Sequence, residues 1–345
     1  MVFSAETVKS TKNPAFRLSD KMPDNRSDKI SDNTLKDLAR FVQAPQFILP
    51  WLDRFYEPGE IKILGAVQQT SMDAQTFQKK FGLGHDELAR LFKRGVLGKN
   101  KQGDLILADF HVRFDIWALF EGFKDLPDEI RNQLNRWELY HYIASHESHV
   151  VQLQTTGMPD PGVVTPRYLL MDEAFAVLDQ VERIYLWPCN CRSMINGCSK
   201  PIYTCLRFDN SQGQGVEISR ERAKQIIVLA NKKGLMQSGE LGYDDRGKLM
   251  GAICNCCPDC CFPHLLAREK CVEKIWPLSR YLAQWHEQDC SFCGLCAKRC
   301  PFDAFTYDRQ AAEKSKRLAF YEDLCRGCGL CAVTCPEKAI EMKKI

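Results

Sequence analysis

One cysteine pattern occurs twice near the C-terminal end of the chain and restricts the local fold more than any other feature. The copies read CSFCGLCAKRCPFDAF, at residues 290–305, and CRGCGLCAVTCPEKAI, at residues 325–340. Both follow C-x2-C-x2-C-x3-C-P and are offset by 35 residues. Three cysteines at such intervals let a tight loop wrap one side of a metal–sulfur core, while the fourth points the other way. The spacing predicts two cores that exchange ligands between the copies.

The pattern resembles that of bacterial-type ferredoxins, which hold two 4Fe–4S clusters and transfer single electrons. Each predicted ligand set takes three thiols from one copy and one from the other. The sets are Cys290, Cys293, Cys296 with Cys335, and Cys325, Cys328, Cys331 with Cys300. Zinc is the alternative, but zinc knuckles use separated C-x2-C pairs rather than runs of three followed by C-P. We expect a small core between the two halves, formed by Ala304, Phe305, Ala339 and Ile340.

A second group of cysteines precedes the repeats. It reads CNCRSMINGCSKPIYTC at residues 189–205 and CNCCPDCC at residues 254–261. Both segments begin with CNC, which favours two loops that contribute comparable ligands to one centre. The predicted metal ligands are Cys189, Cys191, Cys198, Cys205, Cys254, Cys256, Cys257, Cys260 and Cys261.

Adjacent cysteines in this group cannot easily direct all their sulfurs at one four-thiolate cubane. The excess favours two clusters, or one unusual cluster with extra ligands. We expect at least one further iron–sulfur cluster here, most simply a 4Fe–4S cluster. Zinc binding and dithiol redox chemistry are the alternatives.

Three other residues near these cysteines are candidates for a role. Arg192 follows Cys191 and is a candidate cofactor-binding residue, because its guanidinium can donate to cluster sulfide or to an anionic substrate. A structural salt bridge is the alternative. His264 can act as a non-thiolate ligand or simply begin a helix, and Cys271 is a tenth thiol on a predicted helix.

The distribution of cysteine indicates a reducing compartment. The chain has 18 cysteines among 345 residues, and none precedes Cys189. We find no export signal in the first 30 residues, so we expect a cytoplasmic protein with metal-bound or redox-active thiols rather than disulfides. No apolar run approaches the roughly 20 residues that a membrane helix needs. The net charge of +3 does not favour nucleic acid as a partner.

Residues 73–108 resemble a winged helix. They read as a short helix, a turn, a second helix and two short strands around a Lys/Gly turn. The predicted second helix carries Asp86 and Glu87 as well as three basic residues, Arg90, Lys93 and Arg94. Packing or protein contacts are therefore favoured over DNA binding, which remains the alternative. His141, His146 and His149 do not form the HExxH zinc pattern and are interpreted as surface or cap residues.

The order of these parts resembles a widespread family of 4Fe–4S dicluster proteins of anaerobic bacteria and archaea. The shared elements are CNCR at 189–192, CLRF at 205–208, ICNCC at 253–257 and the two repeats. Members usually read C-N-C-C-x-C-C-C, whereas Pro258 and Asp259 interrupt the pattern here, so one thiol is displaced or missing. The resemblance implies an iron–sulfur protein of anaerobic metabolism.

The sequence thus predicts a multi-domain α+β protein. The predicted parts are a polar arm (1–34), a winged-helix-like domain (35–125), a mainly helical connection (126–188), a cysteine-rich domain (189–285) and a ferredoxin domain (286–345). We expect an electron-transfer subunit of, or donor to, a larger oxidoreductase, with protein redox partners, rather than an enzyme by itself. The alternatives are a reductase that works at an unusual central cluster and a redox-sensing regulator that binds DNA.

Overall fold

The structure is a computed structural model that describes residues 31–67, 70–100, 102–160, 163–195, 197–210, 213–244 and 246–345. Its helices and antiparallel sheets fit the predicted α+β class. Residues 1–30 of the predicted arm lie outside the described residues. The last residues of that arm already belong to helix α1 (Asp32–Phe41), because the Ser31 side chain caps it by accepting the Thr34 N–H.

Residues 31–156 are mainly helical and surround an aromatic core. Phe55, Phe110, Phe114 and Trp117 are buried there in edge and tilted ring contacts. After α1, this region contains the helices α2 (Pro58–Val67), α3 (Ala74–Phe81), α4 (His85–Lys93), α5 (Phe110–Phe120) and α6 (Asp128–Thr156), and the strands β1 (Leu97–Lys99) and β2 (Leu105–Leu107).

The segment from α3 to β2 has the predicted order of helix, turn, helix and hairpin. Asp73 caps α3, and Leu97 pairs with Leu107 in the hairpin. Two arginines at the end of α4 form ion pairs: Arg90 is paired with Glu57 at the surface, and Arg94, the C-cap residue, lies 2.6 Å from the buried Glu60. These ion pairs attach α4 to the start of α2, so the two guanidinium groups do not form a free basic surface.

The middle of the chain forms a six-stranded antiparallel sheet with strand order β3-β7-β8-β5-β4-β6. Helices separate most of its strands along the chain, although β6 follows β5 and β8 follows β7 directly. The elements are β3 (Arg167–Tyr168), α7 (Met171–Gln180), β4 (Ile184–Pro188), α8 (Asn190–Ile195), β5 (Tyr203–Arg207), β6 (Val216–Ile218), α9 (Arg220–Lys232), β7 (Met236–Tyr243), β8 (Leu249–Cys256) and α10 (Phe262–Lys270).

Two predicted boundaries shift in the structure. The sheet begins with β3 and β4, so the segment 126–188 supplies strands as well as helices, because β4 pairs with β5. At the other end, strand β9 (Tyr281–Trp285) precedes the predicted boundary at 286 but pairs with the strand that follows the second repeat. Strand β9 could not be assigned from sequence, because its partner strand lies more than 50 residues later in the chain.

Helices α7 and α9 cover one face of the sheet. Leu206 of β5 and Ile253 of β8 are fully buried against them, together with Ile227 of α9. Side chains alternate between the two faces of a strand. Cys205 and Cys254, the neighbours of Leu206 and Ile253, therefore point to the opposite face, toward α5 and α6.

The C-terminal part is a small two-fold arrangement of hairpins and short helices. It consists of β9, α11 (Leu295–Arg299), β10 (Phe305–Tyr307), β11 (Leu318–Phe320), α12 (Leu330–Thr334) and β12 (Ile340–Lys344). Strand β9 pairs with β12, and β10 pairs with β11. The four residues predicted as its core are all buried, at 5% exposure or less, which confirms that prediction: Ala304, Phe305, Ala339 and Ile340.

This part is attached to the central sheet by specific contacts. Arg280 donates to the Tyr168 carbonyl at 2.9 Å and to Glu173 at 2.7 Å. Arg299 donates to the Asn231 carbonyl at 2.6 Å. Among the described residues, the helices are all too short or too polar to cross a bilayer.

Candidate metal centres

The second cysteine repeat and one thiol of the first surround a small space. The thiols are those of Cys325, Cys328, Cys331 and Cys300, and Phe305, Leu330 and Met342 complete the wall. This is the inner set, since it faces the central sheet. Gly329 has φ +74°, and a Cβ there would lie 2.8 Å from the Leu170 side chain, so the loop approaches the central region closely.

The outer set lies on the far side of the same part of the chain. Cys290, Cys293, Cys296 and Cys335 line another small space. Backbone N–H groups of Phe292 and Ala339 donate to the sulfurs of Cys290 and Cys335, both at 3.3 Å. Cys293 is exposed, so this set reaches the surface.

Both sets fit a 4Fe–4S cluster. Each offers four thiols with largely apolar surroundings, and burial raises the pKa of Cys296 and of Cys328 to about 12 in the free thiols. Such groups are stabilised as thiolates only when a metal neutralises them. In residues 289–340, no three thiols lie mutually within 4.8 Å, as expected for ligands that bind separate irons of one cluster.

Six of the nine central thiols form a second arrangement, here called the thiol ring. Each sulfur lies near the next, and those of Cys205 and Cys254 are 3.5 Å apart. In order around the ring, the members are Cys189, Cys191, Cys261, Cys256, Cys254 and Cys205.

The ring is assembled from five elements by the sheet register. Cys205 and Cys254 are neighbours across the β5–β8 pair, because Leu206 is opposite Ile253. Cys189 follows β4, Cys191 lies on α8, and Cys261 is the N-cap of α10. Hydrogen bonds from the Cys191 and Cys205 thiols hold the pKa of Cys189 well below its usual range. The ring can thus supply thiolates to a cluster with more than four protein ligands.

The other three central thiols form a separate group, here called the three-thiol group. Its members are Cys198, Cys257 and Cys260, and their sulfurs all lie within 4.8 Å of one another. They pack against Ala230 and Leu235 at the end of α9, whereas the ring thiol Cys205 packs with Tyr185 and Trp187. The predicted nine-ligand centre is therefore divided into six and three.

Arg192 lies between the two groups and is almost completely buried. Its guanidinium donates to the Pro201 carbonyl at 2.8 Å, the Asn255 carbonyl at 3.1 Å and the Thr204 hydroxyl at 2.6 Å. Nη1 also lies 3.8 Å from the Cys257 sulfur. Burial would lower the pKa of Arg192, but the nearby Cys189 and Cys257 outweigh it and raise that pKa. The geometry favours a positioning role beside the thiols.

A cavity of about 670 Å³ opens beside the thiol ring. Its opposite wall contains His111 and Asp115 of α5 and Glu138 of α6, whose ligand atoms lie within 4.8 Å of one another. His111 Nδ1 lies 2.9 Å from Glu138, and Asn190, between two ring cysteines, donates to Asp115 at 2.8 Å. This group was missed at sequence level, although His111 and Asp115 at i and i+4 share a helix face.

The three side chains of this wall hold protons unusually strongly. Burial lowers the pKa of His111, but the hydrogen bond to Glu138 and nearby carboxylates outweigh burial and raise it to about 9. Burial raises the pKa of Glu138 to about 7 and raises that of Asp115 as well. The wall can therefore hold protons within the same cavity that the ring thiols line.

Tyr168 connects the inner set with the thiol ring. Burial, followed by the nearby thiols of Cys328, Cys261 and Cys256, raises its pKa. Its hydroxyl lies 3.4 Å from His264 Nδ1, and both rings contact Phe302, two residues after Cys300. These buried side chains therefore form a continuous contact between the inner set and the thiol ring.

The remaining candidates lie outside the thiol groups. His264 is buried, and burial lowers its pKa to about 3, so it is a neutral bridge residue beside Tyr168. Cys271 is exposed at the end of α10 and joins neither thiol group. The interpretation of His149 as a surface or cap residue is wrong: it is buried within α6 and lies 2.8 Å from the Thr165 hydroxyl.

The family described as the 4Fe-4S dicluster domain matches residues 289–340. This range contains the inner and outer sets completely and stops short of the central cysteines. No curated protein matches the chain. The C-terminal part is thus a 4Fe–4S dicluster module, and together with the cysteine-rich region it indicates iron–sulfur electron transfer.

Proposed function

We propose that this protein relays single electrons from an external protein partner, through the outer and inner 4Fe–4S clusters, to a further cluster at the thiol ring. The ligands would be the outer set, the inner set and the six ring thiols. Such a chain would serve a larger cytoplasmic oxidoreductase as subunit or donor. When bound, the clusters supply one-electron chemistry, and the protein supplies their positions and surroundings.

The observation that carries this proposal is the position of Tyr168. It is 1% exposed and packs in one cluster with Leu330 and Cys328 of the inner set. On its other side lie Cys256 and Cys261 of the ring. Close packing without solvent between two redox centres favours electron exchange between them.

The exposure of the two ferredoxin sets supports the direction of this relay. Cys293 of the outer set is exposed, and the apolar residues Leu295 and Val333 beside the sets are 39% and 51% exposed. The inner set instead faces Leu170 and Tyr168. A docking partner would therefore exchange electrons with the outer cluster first.

The relay is tested by removing its middle step. In Cys325→Ala/Cys331→Ala, the outer cluster should still be reduced by a one-electron donor, while reduction of the central centre should slow at least tenfold. Freeze-quench electron paramagnetic resonance of anaerobic full-length protein separates the centres. The control is Cys271→Ser, which removes an exposed thiol. Equally fast reduction of the central centre in the double variant would sink the proposal.

A second candidate function, reduction of a small substrate in the cavity, is favoured by the wall of His111, Asp115 and Glu138. Reductions that add hydrogen need electrons and protons at one place, and these side chains hold protons beside the ring. This candidate predicts that His111→Gln changes the pH dependence of the central reduction potential, measured by redox titration. An identical pH dependence in both proteins would count against it.

The third alternative, a DNA-binding regulator, has less support. Arg90 and Arg94 of α4 are engaged with Glu57 and Glu60 rather than directed outward as a basic surface. We propose that the α3–β2 segment serves packing or protein contacts. Salt-dependent, sequence-selective binding to duplex DNA in either redox state would contradict this assignment.

A further inference from the structure

The three-thiol group differs from every other set of thiols in how close its sulfurs lie. Cys198 lies 3.7 Å from Cys257 and 3.7 Å from Cys260. Among the described residues, no other three thiols are mutually within 4.8 Å. Cys257 and Cys260 are both fully buried. Three sulfurs this close together fit a smaller metal centre than the 4Fe–4S clusters of the inner and outer sets.

Strand geometry explains why this group stands apart from the ring. Cys256 ends β8 and joins the ring, whereas Cys257 begins the following turn and points toward the end of α9. Cys260 and Cys261 divide in the same way, because Cys261 caps α10 beside the ring. The adjacent cysteines thus serve two sites, and Pro258 and Asp259 form the turn of a C-x2-C pair within the three-thiol group.

The distances match a single tetrahedral ion. With Zn–S bonds of about 2.3 Å, two sulfurs of a tetrahedral site lie about 3.8 Å apart. In a 4Fe–4S cluster, by contrast, each thiolate binds a different iron, so the sulfurs stand apart, as they do in the inner and outer sets. The inner and outer sets therefore show how far apart the sulfurs of cluster ligands lie in this protein. The sulfurs of the three-thiol group lie closer together.

The surroundings complete such a site. The backbone N–H groups of Cys260 and Gly197 lie near the sulfurs of Cys257 and Cys260, as is common where thiolates bind metal. Three thiolates and one divalent cation leave a net charge of −1, and the Arg192 guanidinium beside Cys257 offsets it. A buried site with balanced charge avoids the large cost of an isolated ion.

We propose that Cys198, Cys257 and Cys260 bind one zinc-class divalent ion, separate from the iron–sulfur centres and with an open fourth position. In the part of the chain that the structure describes, no fourth thiol, imidazole or carboxylate joins the group. Zinc sites with three protein ligands keep a position for water or an exogenous ligand. The proposal does not depend on the electron relay.

The test is zinc K-edge X-ray absorption on full-length protein, purified anaerobically with zinc in the medium, combined with zinc and iron counts per chain. Iron does not contribute at this edge. We expect about one zinc with three sulfurs at about 2.3 Å and one lighter ligand. Four sulfur ligands around zinc would contradict the open fourth position. Zinc without sulfur ligands, or protein without zinc, would contradict the proposed site itself.

Single cysteine variants distinguish this zinc site from the iron–sulfur centres of the proposed relay. Cys198→Ser should lower bound zinc at least tenfold and leave iron and sulfide unchanged, whereas Cys205→Ser in the ring should leave zinc unchanged and remove fewer irons than the loss of one ferredoxin cluster. Cys271→Ser, the exposed control, should change neither count. If Cys198→Ser lowers iron instead of zinc, the three thiols belong to an iron–sulfur centre and the proposal fails. Should that variant not fold, the absorption measurement on the unaltered protein still decides.

Discussion

The two cysteine-rich regions of this protein gather thiols in opposite ways. In the C-terminal part, each set takes three thiols from one short loop, and the sulfurs remain apart around a small space. In the central part, the ring takes six thiols from five elements, and each sulfur lies near the next. The first arrangement is built by local spacing, and the second by the register of a sheet. The first should therefore depend on individual cysteines, and the second on the fold around them.

The largest expected effect separates the two regions by single cysteine changes. Cys331→Ala leaves three ligands in the inner set, so that cluster should be lost, with about four irons per chain. Cys205→Ala leaves five thiols in the ring and should remove fewer irons. Iron and acid-labile sulfide assays check this. A larger iron loss in Cys205→Ala than in Cys331→Ala would reverse the comparison.

The next effect concerns the fold around the central thiols. Arg192→Gln removes hydrogen bonds to three acceptors, two of which belong to buried residues, and should lower the free energy of unfolding by about 3 kcal/mol. It should also weaken metal binding by the three-thiol group. Chemical denaturation followed by circular dichroism gives the first quantity. The control is Arg222→Gln, at an exposed position of α9. Equal stability of the two variants would refute the positioning role of Arg192.

A smaller effect tests the contact between the two regions. Gly329→Ala combines a positive φ with a close approach to Leu170, whereas Gly82→Ala has a similar φ of +65° and open space around it. Backbone strain alone costs about 1 kcal/mol. The loss of stability should therefore be greater at Gly329 than at Gly82, and thermal unfolding measures both. The same loss at both positions would mean that the interface accommodates the extra methyl group.

The smallest effect is a pH dependence that arises in the central cavity. The pKa of His111 is raised from 6.5 to about 9, and that of Glu138 from 4.5 to about 7. Groups with raised pKa values stabilise the fold below their unfolded pKa and lose this contribution as pH rises through the folded one. The charges that face this pair are Asp109, Asp115 and the stacked His141, with Arg207 near Asp115.

Stability should accordingly fall as pH rises from about 7 to about 9, and His111→Gln should flatten this part of the curve. Thermal midpoints across that range check the sign. His85→Gln, at the exposed start of α4, is the matched control. A midpoint that rises with pH, or an unchanged curve in His111→Gln, would contradict the assignment.

Sequence reasoning was most successful where the determinants are local. The spacing of the repeats predicted two ligand sets that exchange one cysteine, and the thiols of each predicted set line one small space. These features need only a few neighbouring residues. The small core of Ala304, Phe305, Ala339 and Ile340 followed from the same repeat.

The division of the central thiols could not be predicted in this way. It depends on which residue of β5 is opposite which residue of β8. This register is set by the packing of the whole sheet, so no short stretch of the sequence predicts it. The pair of His111 and Glu138 joins two helices, and their meeting depends on how α5 packs against α6. Tyr168 was not singled out, because its role depends on a contact between parts of the chain that are more than 100 residues apart.

The exchange of ligands between the two repeats has a consequence for biosynthesis. Cys335 lies with the thiols of the first repeat, so the outer set does not exist until that residue has left the ribosome. Likewise, the inner set, to which Cys300 belongs, is incomplete until Cys331 has been synthesised. The nine central thiols, by contrast, are all present once Cys261 has emerged. The central thiols are therefore all available for metal loading during translation, whereas neither ferredoxin set is complete until the second repeat has been synthesised.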